Sequence, residues 1–451
     1  MSENSTELSL EQVLERARMR DPHQPEFHQA LHEVLQWVVP FAASRPVYNH
    51  PALFSKLTEP ERIIQFRVPW TDDDGQEHIS RGYRVQFSSV IGPCKGGLRF
   101  HPSVNLSVLK FLAFEQVFKN SLTGLPMGGA KGGADFSPKG RSDAEIMRFC
   151  QSFMTGLYNH IGPETDIPAG DIGVGSREIG YLFGQYRRIT GTFSGVLTGK
   201  GEAFGGSILR PEATGYGLLY FTKEMLDAAG KQMDGIRVLI SGSGNVAQFA
   251  CRKAIEMGAK VLSMSDSDGY IFKEEGLTDE DLDFIMELKN EKRGRIKACQ
   301  EAFACSWYEG TPWRHGAKAG LALPCATQNE LDADDARTLI ENGLLAVAEG
   351  ANMPCTEKAV KLFHKHQIPF APGKAANAGG VSVSGLEMSQ NSIRMSWSAE
   401  RVDDELHRIM HDIHEKCRSF GETDGSINYE KGAAIAGFIK VADAMIAQGH
   451  V

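Results

Sequence analysis

Lys95, Lys119 and Lys131 lie within about forty residues of one another in a glycine-rich part of the chain. Lys95 and Lys131 are each followed by two glycines, and Lys119 lies between them. Glycine allows the backbone to approach a ligand closely. Lysines that converge on one pocket would suit a small dianionic substrate, and crowding would lower the pKa of one of them so that it exchanges protons. The spacing alone is equally compatible with three exposed lysines on separate loops.

A glycine-containing turn in the second half of the chain predicts a nucleotide site. An apolar segment, 236–241, precedes the turn, a helical run follows over 247–257, and a second strand, 260–265, comes next. In such a unit the free N–H groups and the dipole of the helix N-terminus bind a pyrophosphate. The residues predicted to contact a dinucleotide are Gly242, Ser243, Gly244, Asn245 and Val246. The alternative is a tight turn in an α/β domain that binds no nucleotide.

The residues after the second strand bear on which dinucleotide would bind. Asp266 stands where an acid commonly holds the ribose 2′-hydroxyl of NAD. Ser265 and Ser267 flank it, and a nearby basic cluster consists of Lys289, Lys292, Arg293 and Arg295. Hydroxyl and cationic groups of this kind suit the 2′-phosphate of NADP. A charge run is also typical of a solvated helix face.

The predicted elements that position these groups differ between the two halves of the chain. In the first half we predict a helical region over 7–38, strands over 63–68 and 83–87, helices over 103–120 and 143–158, and glycine-rich loops over 126–133 and 163–175. A turn at 71–75 makes the first two strands an antiparallel pair. In the second half, the short apolar segments 321–324, 344–348 and 368–371 alternate with helical stretches. That alternation indicates a doubly wound sheet.

The predicted fold class is therefore α/β with two domains. An α/β substrate-binding and oligomerisation domain would occupy residues 1–204, and a Rossmann-type dinucleotide-binding domain would occupy 205–425. A C-terminal helix over 426–451 would return to the first domain. A length of 451 residues exceeds what one ordinary core supports, which agrees with two domains.

Composition excludes several classes of partner and compartment. A net charge of -9 argues against a nucleic acid or an anionic membrane as partner. No apolar run approaches the ~20 residues that span a bilayer, and the first residues lack the pattern of a signal peptide. The eight cysteines are scattered, with no zinc-like grouping. We therefore predict no bound metal, reduced thiols and a cytoplasmic protein.

Six sequence blocks closely resemble those of the hexameric glutamate dehydrogenases, particularly the NADP-dependent bacterial and fungal branch. The blocks are KGGLRFHP at 95–102, FEQVFKN at 114–120, PMGGAKGG at 126–133, IPAGDIGVG at 167–175, RPEATGYG at 210–217 and AANAGGV at 375–381. They occur in order over 290 residues, and the resemblance covers nearly the whole chain. It implies a homohexamer that uses NADP in preference to NAD.

The resemblance also implies roles for individual residues. Lys131 matches the catalytic lysine of that family, and Asp171 matches its proton-transfer partner. The implied substrate-binding residues are Gln116 and Lys119 for the α-carboxylate, Lys95 and Ser384 for the side-chain carboxylate, and Ala169 and Arg210 nearby. Arg210, Thr214, Asn352 and Asn377 match positions near the nicotinamide or the domain cleft.

The implied activity is reversible reductive amination of 2-oxoglutarate with ammonium and NADPH to L-glutamate, a reaction of ammonium assimilation. Carbinolamine formation and collapse need proton transfers, for which Lys131 and Asp171 supply a base and an acid of opposite charge type. We expect Lys119 and Lys95 to lower the pKa of Lys131 and leave it partly neutral. Retention of Lys95 and Ser384 favours glutamate over leucine or phenylalanine as substrate.

Other interpretations of the same residues remain open. Lys131 could form a Schiff base with a keto acid, or the chain could sense a nucleotide without catalysing a reaction. A phosphate-binding loop at 128–132 fits poorly, because no Ser or Thr follows the lysine. Asp171, Asn352 and Asn377 could each serve only as turn-forming residues.

Overall fold

The computed structural model describes residues 9–449. Its helices are α1 Leu10–Arg20, α2 Pro25–Ala43, α3 Pro51–Leu57, α4 Leu106–Leu122, α5 Asp143–Leu157, α6 Ser176–Thr190, α7 Ala213–Ala228, α8 Asn245–Glu256, α9 Asp279–Met286, α10 Cys299–Ala302, α11 Ala333–Glu341, α12 Glu357–Lys365, α13 Gly373–Ala376, α14 Gly379–Ile393, α15 Ala399–Gly421 and α16 Tyr429–Gln448. Its strands are β1 Arg62–Thr71, β2 Glu77–Ser88, β3 Cys94–Phe100, β4 Gly129–Ala134, β5 Asp166–Gly170, β6 Arg237–Ile240, β7 Lys260–Ser265, β8 Gly269–Phe272, β9 Ser306–Glu309, β10 Leu321–Leu323, β11 Ala346–Ala348, β12 Phe370–Ala371, β13 Glu422–Thr423 and β14 Ser426–Ile427. None of these helices combines the length and the apolar character that a bilayer crossing requires.

The described chain divides into two compact units. The first unit contains the described residues up to Ile208, residues 383–402 and the described residues from Ala434 onward. The second unit contains Leu209–Ser382 and Asp403–Ala433. Residues 383–402 thus group with the first unit, whereas the sequence analysis assigns them to the dinucleotide-binding domain. The reason is a set of buried polar contacts that α14 makes with residues 197–207, described below.

A five-stranded sheet forms the centre of the first unit, in the order β1-β2-β4-β3-β5. The predicted antiparallel start is confirmed, because β1 pairs with β2 in antiparallel register. Strands β3, β4 and β5 are parallel to one another. The glycine-rich segments predicted as loops at 126–133 and 163–175 were assigned wrongly in part, since they contain β4 and β5. In β4, a Cβ on Gly129 would lie 2.4 Å from Val117 Cγ2 of α4, and a Cβ on Gly133 would lie 2.0 Å from the carbonyl oxygen of Arg99 of β3, so both positions require glycine.

The helical region predicted over 7–38 is two helices, α1 and α2, separated at residues 21–24. Asp21 ends α1 outside helical geometry, with φ −128° and ψ 63°. Pro22 follows it and disfavours the helical conformation of the residue before it, and Pro25 opens α2. Residues 7 and 8 of the predicted helix lie outside the described residues.

Aromatic side chains hold the helices against the first sheet. Phe100 of β3 contacts Phe149 and Phe153 of α5, with ring centroids 5.0 and 5.2 Å apart. Phe114 of α4 contacts Phe87 of β2 at 5.6 Å. Each fully buried ring of this kind contributes about 1.5–3 kcal/mol relative to an exposed one. These contacts hold α4 against β2, and α5 against β3, the strand that carries Lys95.

The second unit contains a seven-stranded sheet in the order β12-β11-β10-β6-β7-β8-β9. The predicted doubly wound sheet is confirmed, because the five strands from β12 to β7 are parallel. All five contribute to one buried cluster through Leu239, Leu262, Ala322, Val347 and Phe370. The sequence analysis missed β8 and β9, which extend the edge as antiparallel strands.

Candidate active site and dinucleotide site

The first unit contains a lysine–aspartate–arginine group in which the lysine is buried and the other two side chains are partly exposed. Lys131 Nζ is 3.1 Å from Asp171 Oδ1, and Arg99 Nε donates to Asp171 Oδ2 at 2.6 Å. Lys131 is only 4% exposed. The structure therefore brings together the two residues for which the resemblance implied proton transfer, and it adds Arg99, which the sequence analysis did not single out.

The parallel pairing of β3 with β4 and β5 explains how these residues meet. Arg99 lies opposite Gly133 in the register, so Arg99 and Lys131 belong to positions that point to one face of the sheet. Asp171 directly follows β5. A side chain at Gly97 would place its Cβ 2.7 Å from Gly170 O and 2.9 Å from Asp171 Cβ. Only glycine at position 97 lets Asp171 come this close to β3.

The surroundings shift the pKa values of this pair. Burial lowers the pKa of Lys131, and although the Asp171 carboxylate opposes that shift, the charges of Arg99 and Arg84 reinforce it. Burial alone would raise the pKa of Asp171, but Lys131 and Arg99 together lower it to about 2. The direction expected for Lys131 is confirmed. Its cause differs, because burial and two arginines act in place of the neighbouring lysines.

A second buried lysine lies on the same strand as Arg99. Lys95 is fully buried, and its Nζ donates to Thr198 Oγ1 at 2.7 Å. Asn120 Nδ2 donates to the carbonyl oxygen of Lys95 at 3.1 Å and in turn accepts from Gln116 Nε2 through its Oδ1 at 2.7 Å. Lys95 and Gln116 are thus linked through Asn120. A fully buried ammonium group would pair favourably with an anionic ligand group.

The remaining substrate residues implied by the resemblance, except Arg210, also lie in the first unit. Lys119 lies in the last turn of α4, three residues after Gln116, and is half-buried. Ala169 lies in β5 opposite Gly97, and Ser384 is buried in α14. Arg210 differs, because it belongs to the second unit, where its Nη1 lies near Gly380.

A fully buried ion pair braces the strands beneath these groups. Arg84 donates from Nε to Asp166 Oδ2 at 2.8 Å and from Nη1 to the carbonyl oxygen of Gly96 at 3.1 Å. Gln86 Nε2 also donates to Asp166 Oδ2, at 3.0 Å. Because the carboxylate and the guanidinium satisfy each other in two places, the pair fixes β2, β3 and β5 in one arrangement.

The predicted glycine turn of the second unit joins β6 to α8. Gly242 has φ +84°, a conformation that favours glycine, and its N–H donates to Ser265 Oγ at 2.7 Å. Gly244 is the N-cap of α8 and has no side chain that could cap the first turn. Gly244 and Asn245 are exposed, and Val246 is half-buried. The N–H groups of this helix start are thus available to an anion.

Asp266 is already engaged by groups of the protein. Its carboxylate accepts from Ile296 N at 2.9 Å and Asp268 N at 3.1 Å, and Lys289 Nζ lies 3.4 Å away. Burial opposes ionisation, but these donors keep the pKa of Asp266 below its usual value. The negative charge at the end of β7 is therefore balanced within the protein.

Only some of the predicted basic residues lie near Ser267. Arg295 Nη1 donates to Ser267 Oγ at 2.7 Å. Lys289 lies beside Asp266 as described, whereas Lys292 Nζ pairs with Glu287 Oε1 at 2.7 Å, both side chains being about half exposed. The structure thus places Lys289 and Arg295 at the end of β7, and directs Lys292 to a different partner.

Asn352 and Asn377 lie together in the second unit. Asn377 Nδ2 donates to Asn352 Oδ1 and to the carbonyl oxygens of Gly350 and Ala351, each at 3.1 Å. The neighbouring carboxylate of Glu349 accepts from Gly373 N at 2.7 Å and Cys355 N at 3.2 Å. Burial raises the pKa of Glu349 to about 8. These contacts hold the loop after β11 in place, a function that the sequence analysis did not assign to Glu349.

Thr214 lies in the first turn of α7 beside Gly380. A Cβ on Gly380 would come within 2.4 Å of Thr214 Oγ1. The sequence blocks 210–217 and 375–381 are therefore adjacent in the second unit.

Two protein-family models match this chain. Residues 60–188 match the Glu/Leu/Phe/Val dehydrogenase dimerisation domain, and residues 205–449 match the Glutamate/Leucine/Phenylalanine/Valine dehydrogenase model. The chain belongs to this family. The resemblance seen in the six sequence blocks is confirmed, and so is the predicted fold class, an α/β substrate domain with a Rossmann-type domain.

Several relatives match over nearly their whole length. The chain is 58% identical to a glutamate dehydrogenase of Bacteroides thetaiotaomicron, covering 97% of this chain and 99% of the relative. It is 57% identical to the NADP-specific glutamate dehydrogenase of Salmonella typhimurium, covering 98% and 99%. A third relative, 53% identical with 98% and 100% covered, is the NAD-specific glutamate dehydrogenase of Bacteroides fragilis. Similar sequences thus occur with both coenzyme preferences.

Solved structures agree with the fold. A glutamate dehydrogenase of Plasmodium falciparum superposes with a TM-score of 0.95 at 51% identity, covering 98% of this chain and 95% of that one. The hetero-hexameric glutamate dehydrogenase of Thermus thermophilus superposes with a TM-score of 0.83 at 26% identity, covering 96% and 97%.

Proposed function

We propose that this chain is a glutamate dehydrogenase that converts 2-oxoglutarate, ammonium and NADPH reversibly to L-glutamate. The observation that carries the proposal is the ion pair between buried Lys131 and partly exposed Asp171, in a chain 57% identical to an NADP-specific glutamate dehydrogenase. A lysine of lowered pKa beside an ionised carboxylate can take up and return protons.

The side chains of the first unit then have distinct roles. Lys95 binds the distal carboxylate together with Ser384, and Gln116 and Lys119 bind the α-carboxylate. Neutral Lys131 accepts and returns protons at Nζ as ammonia adds to the keto carbon and water leaves. Asp171, kept ionised by Arg99, stabilises the cationic iminium that results. Arg99 therefore acts through Asp171 and Lys131.

Arg99→Met is expected to move the rising limb of the pH profile of kcat/KM for 2-oxoglutarate to higher pH. Neutral Lys131 is the active form, so the rate rises as pH passes the pKa of Lys131. Because the charge of Arg99 lowers that pKa, its removal raises it. The profile is measured at saturating NADPH and ammonium. Arg99→Lys keeps a positive charge and should shift the limb less, whereas a shift of Arg99→Met to lower pH would contradict this role.

The second unit fits a dinucleotide with a 2′-phosphate. The exposed start of α8 suits the pyrophosphate, because its N-cap residue, Gly244, has no side chain to occupy the N–H groups of the first turn. The balanced charge of Asp266 together with Arg295, Lys289 and Ser267 suits a phosphate on the ribose. When bound, NADPH supplies the hydride. The residues of the chain would position the dinucleotide and balance the charge of its phosphates.

Lys289→Ala is expected to raise the KM for NADPH about tenfold or more, because one charge-assisted hydrogen bond contributes about 1.5–3 kcal/mol. The KM for NADH should remain nearly unchanged, since NADH has no 2′-phosphate. Lys223→Ala is a suitable control, since Lys223 belongs to the same unit and pairs with Asp227. Equal increases in both KM values would argue that Lys289 only maintains the local structure.

The first experiment follows the absorbance of reduced nicotinamide with 2-oxoglutarate and ammonium, using NADPH and NADH in parallel. We expect rapid loss with NADPH and no loss when ammonium is omitted. An equal or faster loss of absorbance with NADH would still support the glutamate dehydrogenase reaction, and would indicate that Asp266 binds the ribose 2′-hydroxyl of NAD. No loss with either coenzyme would overturn the proposed function.

The proposal includes a homohexamer that works in ammonium assimilation in the cytoplasm. The family match to a dimerisation domain and the hexameric relative of Thermus thermophilus support an oligomer. Light scattering of the purified protein should give a mass of about six chains. A monomer would exclude this part of the proposal.

A further inference from the structure

A buried ion pair in the first unit has no role in the proton transfers described above. Lys200 and Glu387 are both fully buried, and Lys200 Nζ lies 2.7 Å from Glu387 Oε1. Lys200 Nζ also donates to the carbonyl oxygen of Leu197. Glu387 Oε2 accepts from Gly199 N at 2.9 Å. Both charges thus have several partners in an interior where an unpaired charge would be costly.

The pair joins two segments that both carry residues of the distal-carboxylate site. Thr198, which accepts from Lys95 Nζ, directly precedes Gly199. Ser384 lies in α14, three residues before Glu387. Residues three apart lie on the same side of a helix. The Lys200–Glu387 pair therefore fixes the segment that contacts Lys95 to the side of α14 that carries Ser384.

The next turn of α14 adds two more contacts with the same segment. Gln390 Nε2 donates to Ser207 Oγ at 2.9 Å, and Asn391 Nδ2 donates to the carbonyl oxygen of Gly205 at 2.7 Å. Residues 197–207 are thus attached to α14 at several points along its length. Glu387 makes the attachments closest in sequence to Thr198, through Gly199 N and Lys200 Nζ.

We propose that Lys200 and Glu387 are positioning residues that set the spacing between the Lys95–Thr198 pair and Ser384. This inference rests on the proposed glutamate dehydrogenase function. A buried ion pair adds little stability beyond an apolar pair of similar volume, but its geometry is specific. Fixed spacing lets the Lys95 ammonium and the Ser384 hydroxyl bind the same carboxylate. The Lys200–Glu387 pair therefore determines the preference for keto acids with a distal carboxylate.

Glu387→Gln is the first test, because glutamine has nearly the same shape but lacks the charge. We expect the KM for 2-oxoglutarate and the inhibition constant of glutarate, a dicarboxylate without a keto group, to rise about tenfold or more. The ratio of kcat/KM for 2-oxoglutarate to that for the monocarboxylic 2-oxopentanoate should fall by a similar factor. The KM for NADPH should stay within about twofold.

Two further variants make the result decisive. Lys110→Met removes another buried lysine of the first unit, which pairs with Asp21 at 2.5 Å, and should leave the substrate ratio unchanged. Lys200→Met/Glu387→Gln removes both charges, avoids an unpaired buried charge and carries the test if the single variant does not fold. An unchanged substrate ratio and unchanged glutarate binding in a folded variant would overturn the inference. Absence of activity in the unaltered protein would instead refute the proposed function.

Discussion

Lys131→Ala is expected to lower kcat/KM for reductive amination by about 10⁴-fold, the upper range for loss of a general acid–base group. Lys131 is buried, its pKa is lowered, and its ammonium nitrogen lies 3.1 Å from Asp171. No other side chain in this group can take its place, because the guanidinium of Arg99 donates hydrogen bonds and has no acceptor atom. The affinity for NADPH, measured by fluorescence titration, should remain within about twofold.

One control and one further variant accompany this experiment. Lys110→Ala removes a buried lysine of the same unit without touching Asp171, so its turnover should stay close to that of the unaltered protein. Asp171→Asn should also lose activity, since the remaining amide carries no charge to stabilise the iminium. Loss of NADPH affinity in parallel with turnover would mean that Lys131 has been assigned to the wrong role.

Lys95→Ala is expected to lower kcat/KM for 2-oxoglutarate roughly 10³-fold, as happens when one partner of a buried charge pair is removed. Lys95 is fully buried and directs its ammonium to Thr198. Without that charge, the distal carboxylate of the substrate would be desolvated and unpaired. Monocarboxylic keto acids lack this carboxylate, so their kcat/KM should fall far less or increase.

The decisive quantity for Lys95→Ala is the ratio of kcat/KM for 2-oxoglutarate to that for 2-oxopentanoate. Thr198→Val, which removes only the hydroxyl beside Lys95, should change the ratio in the same direction by a smaller factor. An unchanged ratio in Lys95→Ala would contradict its assignment to the distal carboxylate. An equal loss on all keto acids would indicate damage to the whole site.

The two halves of the chain differed in how well local pattern predicted structure. Around Gly242, an apolar strand, a glycine turn and a helix follow one another directly, so their arrangement depends on contacts between neighbours in sequence. Strands β4 and β5 are rich in glycine and proline, which locally favour turns. They form strands because β2 and β3 pair with them. No local pattern contains that information.

The same distinction holds for the site residues. Arg99 lies within the KGGLRFHP block, four residues after Lys95, and strand alternation could have placed both on one face. Thr198 offered no such signal, because it lies 103 residues from the lysine that it contacts. The Lys200–Glu387 pair spans 187 residues. Lys292 was predicted to bind the cofactor because of its charge alone, and the structure shows it paired with Glu287.

The sequence by itself determined the family, the doubly wound sheet and the chemical groups available, because these depend on residue types and on short-range order. The tertiary structure decided which groups meet and in what state of protonation. The pKa of Lys131 is lowered chiefly by burial, and that of Asp171 is lowered by Lys131 and Arg99 against the effect of burial. Burial and charge proximity arise only when distant segments pack together, so both shifts follow from the fold.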